Sequence, residues 1–485
     1  MHSCLKLKSK RRLAPAARGD IPVKSLRVDD IAPVNRTFLD HYRCPESFAS
    51  FAVHGTPSTN SGFFRFGQGT ICYGTTSSGF AAPNIRPDLY DALGDVMIDG
   101  ATLRLPFDPT EITENLRLER YRRDSHNGHR EFPQERALWN AYRLLRPVLP
   151  LAVRKHLQRL YLRGWGRLAF PRWPVDRTIE HITEQLFTLA LKAHAVDKIP
   201  FIWFWPDGAP SGAMLTHDVE TLAGRNFCES LMDLDDAVGI KSSFQVVPEQ
   251  RYPVPTSFLN TIRERGFEIN VHDINHDGQL FANHEAFLHR VARINGYAKK
   301  FGAVGFRSGT LYRRPEWFEA LDFSYDMSIP NLAHLEPQRG GCCTVMPFFI
   351  GNVLELPLTT TQDYSLFHIL QTYSLDLWKR QIALITEKHG LVSFIVHPDY
   401  VIEERARDTY RSLLDYLAQL RADGVLWIAQ PGEVDRWWRE RSRMRIVRDG
   451  HRWRIEGRGK ERARLAFASL VDDAVTFTLE NTHDP

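Results

Sequence analysis

The chain has 485 residues, of which 43% are hydrophobic and 25% are charged, and its formal net charge is +4. This length exceeds what one ordinary hydrophobic core supports, so we expect two or three domains. The composition is typical of globular protein, and so small a net charge excludes a general electrostatic attraction to nucleic acid. We therefore predict no nucleic-acid partner.

The cysteines and the N-terminus bear on the cellular compartment. No CxxC pair occurs, and so few, irregularly spaced cysteines favour a reduced, cytoplasmic protein over a disulfide scaffold. The first twenty residues are basic but lack the apolar core of a secretory signal. The sequence contains no run of about eighteen apolar residues, so we predict no membrane span. The cysteines are Cys4, Cys44, Cys72, Cys228, Cys342 and Cys343.

The N-terminal part divides into a tail and a mixed region. Residues 1–35 are predicted to be a flexible basic tail. Residues 36–177 are predicted to form a β-rich and basic helical region, because the strand-like segments GFFRFG and TICYGT are followed by Arg- and Leu-rich helical segments. A further helix is expected over residues 176–193.

The segment 143–177 is strongly basic, with nine Arg and Lys residues against the single acid Asp176. One interpretation is peripheral contact with anionic lipid, which would make the protein membrane-associated. The other is a solvated helical face that also contacts the next domain, since charge runs on helices are usually solvated. The aromatic residues that could anchor the segment to a lipid surface are Tyr161, Trp165, Phe170 and Trp173.

Residues 178–440 show a strand–helix alternation that predicts parallel β/α units. Seven or eight such units predict a complete or nearly complete barrel. Residues 441–485 are predicted to form a small β appendix, with a hairpin turn at Asp449-Gly450. The apolar segments taken as barrel strands are AMLTHD, SSFQVV, FEINVHD, VGFRS, FSYDMS, VLELPL, LVSFIVH and VLWIAQ.

Polar residues at the ends of these strands are the candidate site residues, because active sites of β/α barrels lie at the carboxyl ends of the strands. Asp218 and Glu220 end the strand AMLTHDVE and, being two apart, face the same side. His272 and His276 are four apart, a spacing that places two imidazoles on one face. Two imidazoles and one carboxylate form a common catalytic metal site with open positions.

Hydrolysis of an amide or ester at such a site requires a base and an acid. Asp218 can act as base without binding the metal, and His397, which ends the strand LVSFIVH, can act as acid. Arg307 ends the strand VGFRS and can keep Asp218 ionised through charge-assisted hydrogen bonds.

These pieces, in this order, resemble the polysaccharide deacetylase family, also called the NodB-homology or carbohydrate esterase family four. The resemblance covers about residues 213–432. It rests on five motifs, each at the end of a predicted strand: Thr216-His217-Asp218-Val219-Glu220, His272-Asp273-Ile274-Asn275-His276, Phe306-Arg307-Ser308-Gly309, Tyr325-Asp326-Met327-Ser328 and Ile395-Val396-His397-Pro398.

The resemblance implies an α/β fold with a distorted (β/α) barrel, one divalent metal ion with zinc as first choice, and removal of an acetyl group from an N-acetylated amino sugar. It makes Asp218 the base, His397 the acid and Arg307 the residue that orients the base. It makes His272 and His276 metal ligands, and we assign the third ligand to Glu220.

Three departures from the family pattern keep alternatives open. Val219 separates the two acidic residues, Asp273 replaces a small hydroxyl residue, and Arg-Ser-Gly-Thr replaces Arg-x-Pro-aromatic after strand VGFRS. The alternatives are a deformylase or another C–N hydrolase of the same superfamily, and a barrel that binds glycan without turning it over.

Overall fold

The computed structural model describes residues 33–122, 156–157, 159–450 and 452–480. Residues 1–32 of the predicted tail, and residues 143–155 and 158 of the basic segment, lie outside these residues. The α-helices among the described residues are α1 Arg36–Tyr42, α2 Pro109–Arg117, α3 Thr178–His194, α4 Leu222–Ala237, α5 Thr256–Glu264, α6 His284–Phe301, α7 Asp376–Thr386, α8 Glu404–Ala422 and α9 Pro431–Arg443.

The strands follow the same order along the chain. They are β1 Phe51–Val53, β2 Gly62–Arg65, β3 Ile71–Gly74, β4 Met97–Asp99, β5 Thr102–Leu105, β6 Lys198–Ile202, β7 Ser211–Val219, β8 Ser243–Val246, β9 Glu268–His272, β10 Gly305–Arg307, β11 Tyr325–Asp326, β12 Phe348–Ile350, β13 Val353–Glu355, β14 Leu391–Ile395, β15 Leu426–Ile428, β16 Arg445–Asp449, β17 Arg452–Glu456, β18 Leu465–Val471 and β19 Ala474–Leu479.

The central sheet has nine strands in the order β12-β13-β11-β10-β9-β8-β7-β14, with β15 also paired to β7. All pairs are parallel except β12 with β13. The segments predicted as barrel strands are all strands of this sheet. The predicted α/β class with a distorted barrel is therefore confirmed, as a curled sheet in place of a fully closed barrel.

The seam of the sheet lies between β13 and β14. There the chain after β13 runs beside β14, where the hydroxyl of Thr359 donates to the carbonyl of Leu391 at 2.7 Å and that of Thr360 donates to the carbonyl of Ser393 at 2.7 Å. In a regular barrel, pairing between two strands would close the sheet at this position.

The strands of the sheet are apolar because helices cover it. Every residue of β7 is buried, as expected for a parallel strand covered on both faces. Thr221 begins α4 directly after Glu220, its hydroxyl accepting from the backbone N–H of Gly224 at 3.0 Å. This capping bond turns the chain sharply after the end of β7 and keeps Glu220 at the rim of the sheet.

A second core lies outside the barrel and joins distant parts of the chain. Strand β6 pairs antiparallel with β18, which also pairs with β19. Tyr42 of α1 packs against Phe187 of α3, with ring centroids 4.3 Å apart, and against Phe477 of β19 at 5.7 Å. The predicted hairpin at Asp449-Gly450 is present as β16 and β17. The domain boundaries named above remain predictions.

Two further sequence predictions concern cysteines and membrane spans. Cys342 and Cys343 are buried and free, as are Cys44, Cys72 and Cys228, whereas Cys4 lies outside the described residues. None of the described helices combines the length and the apolar character that crossing a bilayer requires.

Candidate active site

The candidate site lies where the parallel strands β7, β9, β10 and β14 end. His272 is the last residue of β9 and pairs in register with Arg307, the last residue of β10. Asp218 lies near the end of β7, and His397 follows β14 by two residues. Because neighbouring parallel strands end at the same edge of the sheet, four distant stretches of sequence meet here.

Glu220 is the centre of the cluster. Its Oε1 atom lies 2.9 Å from Nε2 of His276, 3.6 Å from Nε2 of His272 and 3.4 Å from Nε2 of His397. Burial alone would raise the pKa of Glu220, but the charge of His276 and hydrogen bonds from the surrounding imidazoles place it well below its ordinary value. The carboxylate is therefore anionic and faces three imidazoles.

Asp218 is held by Arg307. The guanidinium donates to Oδ1 of Asp218 at 2.7 Å and to the hydroxyl of Thr216 at 2.7 Å, and its Nε donates to the carbonyl of Met327 at 3.0 Å. Burial would raise the pKa of Asp218, yet the charges of Arg307, His272 and His397 and the hydrogen bond from Arg307 together outweigh this effect and lower the pKa. Asp218 is thus an ionised, buried carboxylate beside the cluster, 3.7 Å from Nε2 of His272.

His397 is held by Asp363, a residue that the sequence analysis did not single out. Nδ1 of His397 lies 2.6 Å from Oδ1 of Asp363, and the backbone N–H of His397 donates to Oδ2 at 2.7 Å. Burial would lower the pKa of His397, but the charge of Asp363 and its hydrogen bond, with a further contribution from Glu220, raise it well above the ordinary value. Nε2 is left facing the cluster.

The donor set of this cluster fits a divalent metal ion. One ligand atom each from Glu220, His272 and His276 lie within 4.8 Å of one another. Nε2 of His272 and Nε2 of His276 are buried, and both face the carboxylate of Glu220, at 3.6 Å and 2.9 Å. Nδ1 of His272 lies 3.1 Å from the carbonyl of Arg307, a contact that places its proton there and leaves Nε2 as a free lone pair.

A second group of possible ligand atoms shares Glu220 with the first. It combines Asp218, Glu220 and His397. Asp218 and His397 already have strong partners in Arg307 and Asp363, whereas Nε2 of the two remaining imidazoles faces the carboxylates of the cluster itself. The set of Glu220, His272 and His276 is therefore the better metal site.

The loops that carry the departures from the family pattern pack directly against each other. A Cβ atom placed on Gly309 would lie 2.5 Å from Oδ2 of Asp273 and 3.0 Å from the ring of His276, so a side chain there would displace one of these two residues. Asp273, His276 and Thr310 have positive φ angles of 56°, 53° and 60°. Such strained backbone in non-glycine residues often accompanies functional sites. Arg251, also missed from the sequence, donates to the carbonyl of His276 at 2.6 Å.

Two polar residues of the five motifs, His217 and Asp326, have partners outside the cluster. His217 points away from the cluster, with Nε2 3.1 Å from Asp235 of α4 and Nδ1 3.0 Å from the carbonyl of Val396. Asp326 accepts hydrogen bonds from the backbone N–H and the hydroxyl of Ser328. Asp399, two residues after His397, makes no hydrogen bond through Oδ1.

No family model matches the chain, and no curated protein matches it. Similar solved structures include a polysaccharide deacetylase from Mycobacterium smegmatis, described as putative in its own title (15% identity, 49% of this chain and 93% of that chain, TM-score 0.39), and Puue allantoinase (14%, 48% and 92%, 0.38). A family 4 acetyl xylan esterase from Clostridium thermocellum, in complex with a cobalt ion, is similar at 14% identity over 46% of this chain and 90% of that chain, with TM-score 0.31. Polysaccharide deacetylases and family four esterases, which the sequence motifs resemble, are thus among the structures similar to this chain over about half its length.

Proposed function

We propose that the chain is a metal-dependent hydrolase that removes an acetyl group from an N-acetylated amino sugar. The observation that carries the proposal is the arrangement of two buried imidazole nitrogens, on His272 and His276, around the carboxylate of Glu220. A second carboxylate, Asp218, and a third imidazole, His397, lie beside this set with partners of their own.

The proposed metal ligands are Glu220, His272 and His276, and zinc is the first choice because it accepts both imidazole and carboxylate ligands. When bound, a divalent ion of this kind activates water and polarises an acyl carbonyl. The remaining two ionisable groups then divide the proton transfers that hydrolysis of an amide requires.

Asp218 is the proposed base. Arg307 keeps its carboxylate ionised at neutral pH, so Asp218 can accept a proton from the attacking water. Since Arg307 is itself held by the hydroxyl of Thr216 and the carbonyl of Met327, the carboxylate has a defined orientation. This is the kind of preorganisation that makes a proton acceptor effective.

His397 is the proposed acid. Asp363 raises its pKa, so the ring carries a proton at neutral pH and presents Nε2 to the cluster. An amine leaves as a neutral molecule only if it gains a proton, and His397 can supply it. We propose a carbohydrate substrate because the motifs resemble those of polysaccharide deacetylases. The site is polar and contains both a base and an acid, which is consistent with such a substrate.

The test is acetate release from a panel of N-acetylated sugars, together with metal analysis of the purified protein. We expect release by the wild type and its loss in His272→Ala. The control is His289→Ala, which changes an exposed histidine of α6 and should retain activity. A wild type that binds divalent metal and releases no acetate, but releases formate from an N-formylated sugar, would favour another C–N hydrolase. A wild type without metal or turnover would favour a glycan-binding barrel.

A further inference from the structure

A basic and apolar surface lies next to the catalytic end of the sheet. We call it the basic-aromatic surface, and its residues are Leu157, Leu160, Tyr161, Arg163, Trp165, Arg167 and Arg172. It belongs to the described part of the segment 143–177, for which the sequence left lipid contact and a solvated face as alternatives. The exposure and charge of its side chains separate these two interpretations.

The apolar side chains of this surface are exposed to solvent. Leu157 is 38% exposed, Leu160 is 46% exposed and Tyr161 is 45% exposed. A purely solvated helical face carries polar side chains in these positions. Three large apolar residues exposed within five positions of sequence instead indicate a surface that is covered in the working protein.

The charge of the surface has one sign. No acidic residue occurs between Glu135 and Asp176. Arg163, Arg167 and Arg172 are exposed, and Arg172 also interacts with the buried carboxylate of Asp176. Guanidinium groups beside exposed leucine and aromatic side chains are the composition that binds the interface of an anionic bilayer.

The surface is attached to a loop of the catalytic end. The hydroxyl of Tyr161 donates to the carbonyl of Pro337 at 3.4 Å, and the guanidinium of Arg339 lies 5.9 Å from the ring of Tyr161. The ring of Trp173 lies 5.8 Å from that of His334. Residues 334–339 follow β11, so the loop that holds the surface emerges from the edge of the sheet where the site lies.

The same loop reaches the partner of the proposed acid. The side-chain amide of Gln362 donates to Glu336 at 2.5 Å, and Gln362 directly precedes Asp363, which binds His397. The rim of the site is also apolar, because Leu222, two residues after Glu220, is 50% exposed and Ile402, five residues after His397, is 41% exposed.

We propose that the basic-aromatic surface docks the protein on an anionic phospholipid bilayer, with the catalytic end next to the lipid headgroups. The arginines would contact lipid phosphates, and Leu157, Leu160 and Tyr161 would enter the interface between headgroups and acyl chains. This docking does not depend on the proposed hydrolase activity. If that activity also holds, a sugar carried on a membrane lipid is the substrate class that the arrangement favours.

The experiment is flotation of the full chain with phosphatidylcholine vesicles that contain or lack phosphatidylglycerol. We expect the wild type to float with the anionic vesicles only, and less of it to float as salt concentration rises. Leu157→Ser with Leu160→Ser, and Arg163→Glu with Arg167→Glu, should each lower the affinity for anionic vesicles by about tenfold or more.

The matched control is Arg436→Glu with Arg443→Glu, which changes the same charge on exposed residues of α9 and should float like the wild type. Wild-type protein that binds neither vesicle type, or both equally, would overturn the proposal. So would equal losses in the control and in the Arg163 and Arg167 variant. Acetate release from soluble sugars by all these variants keeps a failure of docking distinct from a failure of the proposed hydrolase.

Discussion

Asp363 and His397 form a buried pair in which the carboxylate binds both the ring and the backbone of the histidine, at 2.6 Å and 2.7 Å. Asp363→Asn should remove the negative charge that keeps the ring protonated and weaken its orientation. We expect turnover of an N-acetylated sugar to fall by up to about 10²- to 10⁴-fold, the range of general acid catalysis. Metal content, measured in the same sample, should not change.

The control for this variant is Asp399→Asn. Asp399 lies two residues after His397 but has no hydrogen bond to its ring, and its Oδ1 atom is unpartnered. Activity should therefore stay within a few-fold of the wild type. Equal losses in the two variants would mean that general negative charge near the ring, and not the specific pair, supports activity.

His397→Ala should distinguish substrates by their leaving groups. A departing amine requires a proton, whereas an activated aryl alcohol leaves as an anion without one. We expect the amide to lose about 10²- to 10⁴-fold in rate and an aryl acetate ester to lose far less. The measurement compares kcat for both substrates in wild type and variant, and equal losses would exclude His397 as the acid.

Asp218→Asn and Glu220→Gln should separate turnover from metal binding. Asp218 forms an ion pair with Arg307 at 2.7 Å and is not a proposed metal ligand. Asp218→Asn should therefore keep the metal and lose turnover. Glu220 is the carboxylate nearest Nε2 of both His272 and His276, so Glu220→Gln should weaken metal affinity. Metal titration of the two apoproteins checks this, and the reverse pattern would make Asp218 the ligand.

Glu119 and Arg313 form a buried ion pair that ties the N-terminal region to the loops beyond β10 and β11. Arg313 donates to Glu119 at 2.5 Å and 2.8 Å, and the backbone N–H of Gly341 also donates to Glu119. Burial would raise the pKa of Glu119, but Arg313 lowers it below its ordinary value. Glu119→Gln leaves Arg313 buried without an anion and should destabilise the fold by about 3–5 kcal/mol.

The ion pair between Glu119 and Arg313 also predicts how the stability lost in Glu119→Gln depends on pH. Since the pKa of Glu119 is lower in the folded than in the unfolded chain, its contribution is full above the unfolded value of about 4.3. This contribution to stability is lost as the pH falls through the pKa that Glu119 has in the folded chain. Urea unfolding at pH 7 and below pH 4 should therefore show a difference between wild type and Glu119→Gln that shrinks on acidification. A difference that grows on acidification would contradict the lowered pKa assigned to Glu119 in the folded chain.

The sequence predicted the strands and the site residues at their ends because β/α barrels repeat one pattern of apolar strand and polar end. Asp218, Glu220, His272, Arg307 and His397 all follow that pattern, and the structure brings them together.

Asp363 escaped prediction because it lies in the loop segment TTTQDY, which reaches His397 only through the seam between β13 and β14. Arg251 escaped for a similar reason, since its bond to the carbonyl of His276 depends on how two loops pack. The pairing of β6 with β18 joins segments more than 250 residues apart, and neither periodicity nor composition indicates such a partner.

Metal stoichiometry of wild type and His276→Ala tests the central claim most directly. Nε2 of His276 is buried and lies 2.9 Å from the carboxylate of Glu220, so we assign it as a metal ligand. We expect one divalent ion per wild-type chain, and loss of that ion in His276→Ala with an unchanged circular dichroism spectrum. A His276→Ala variant that keeps the full complement of metal would contradict this assignment.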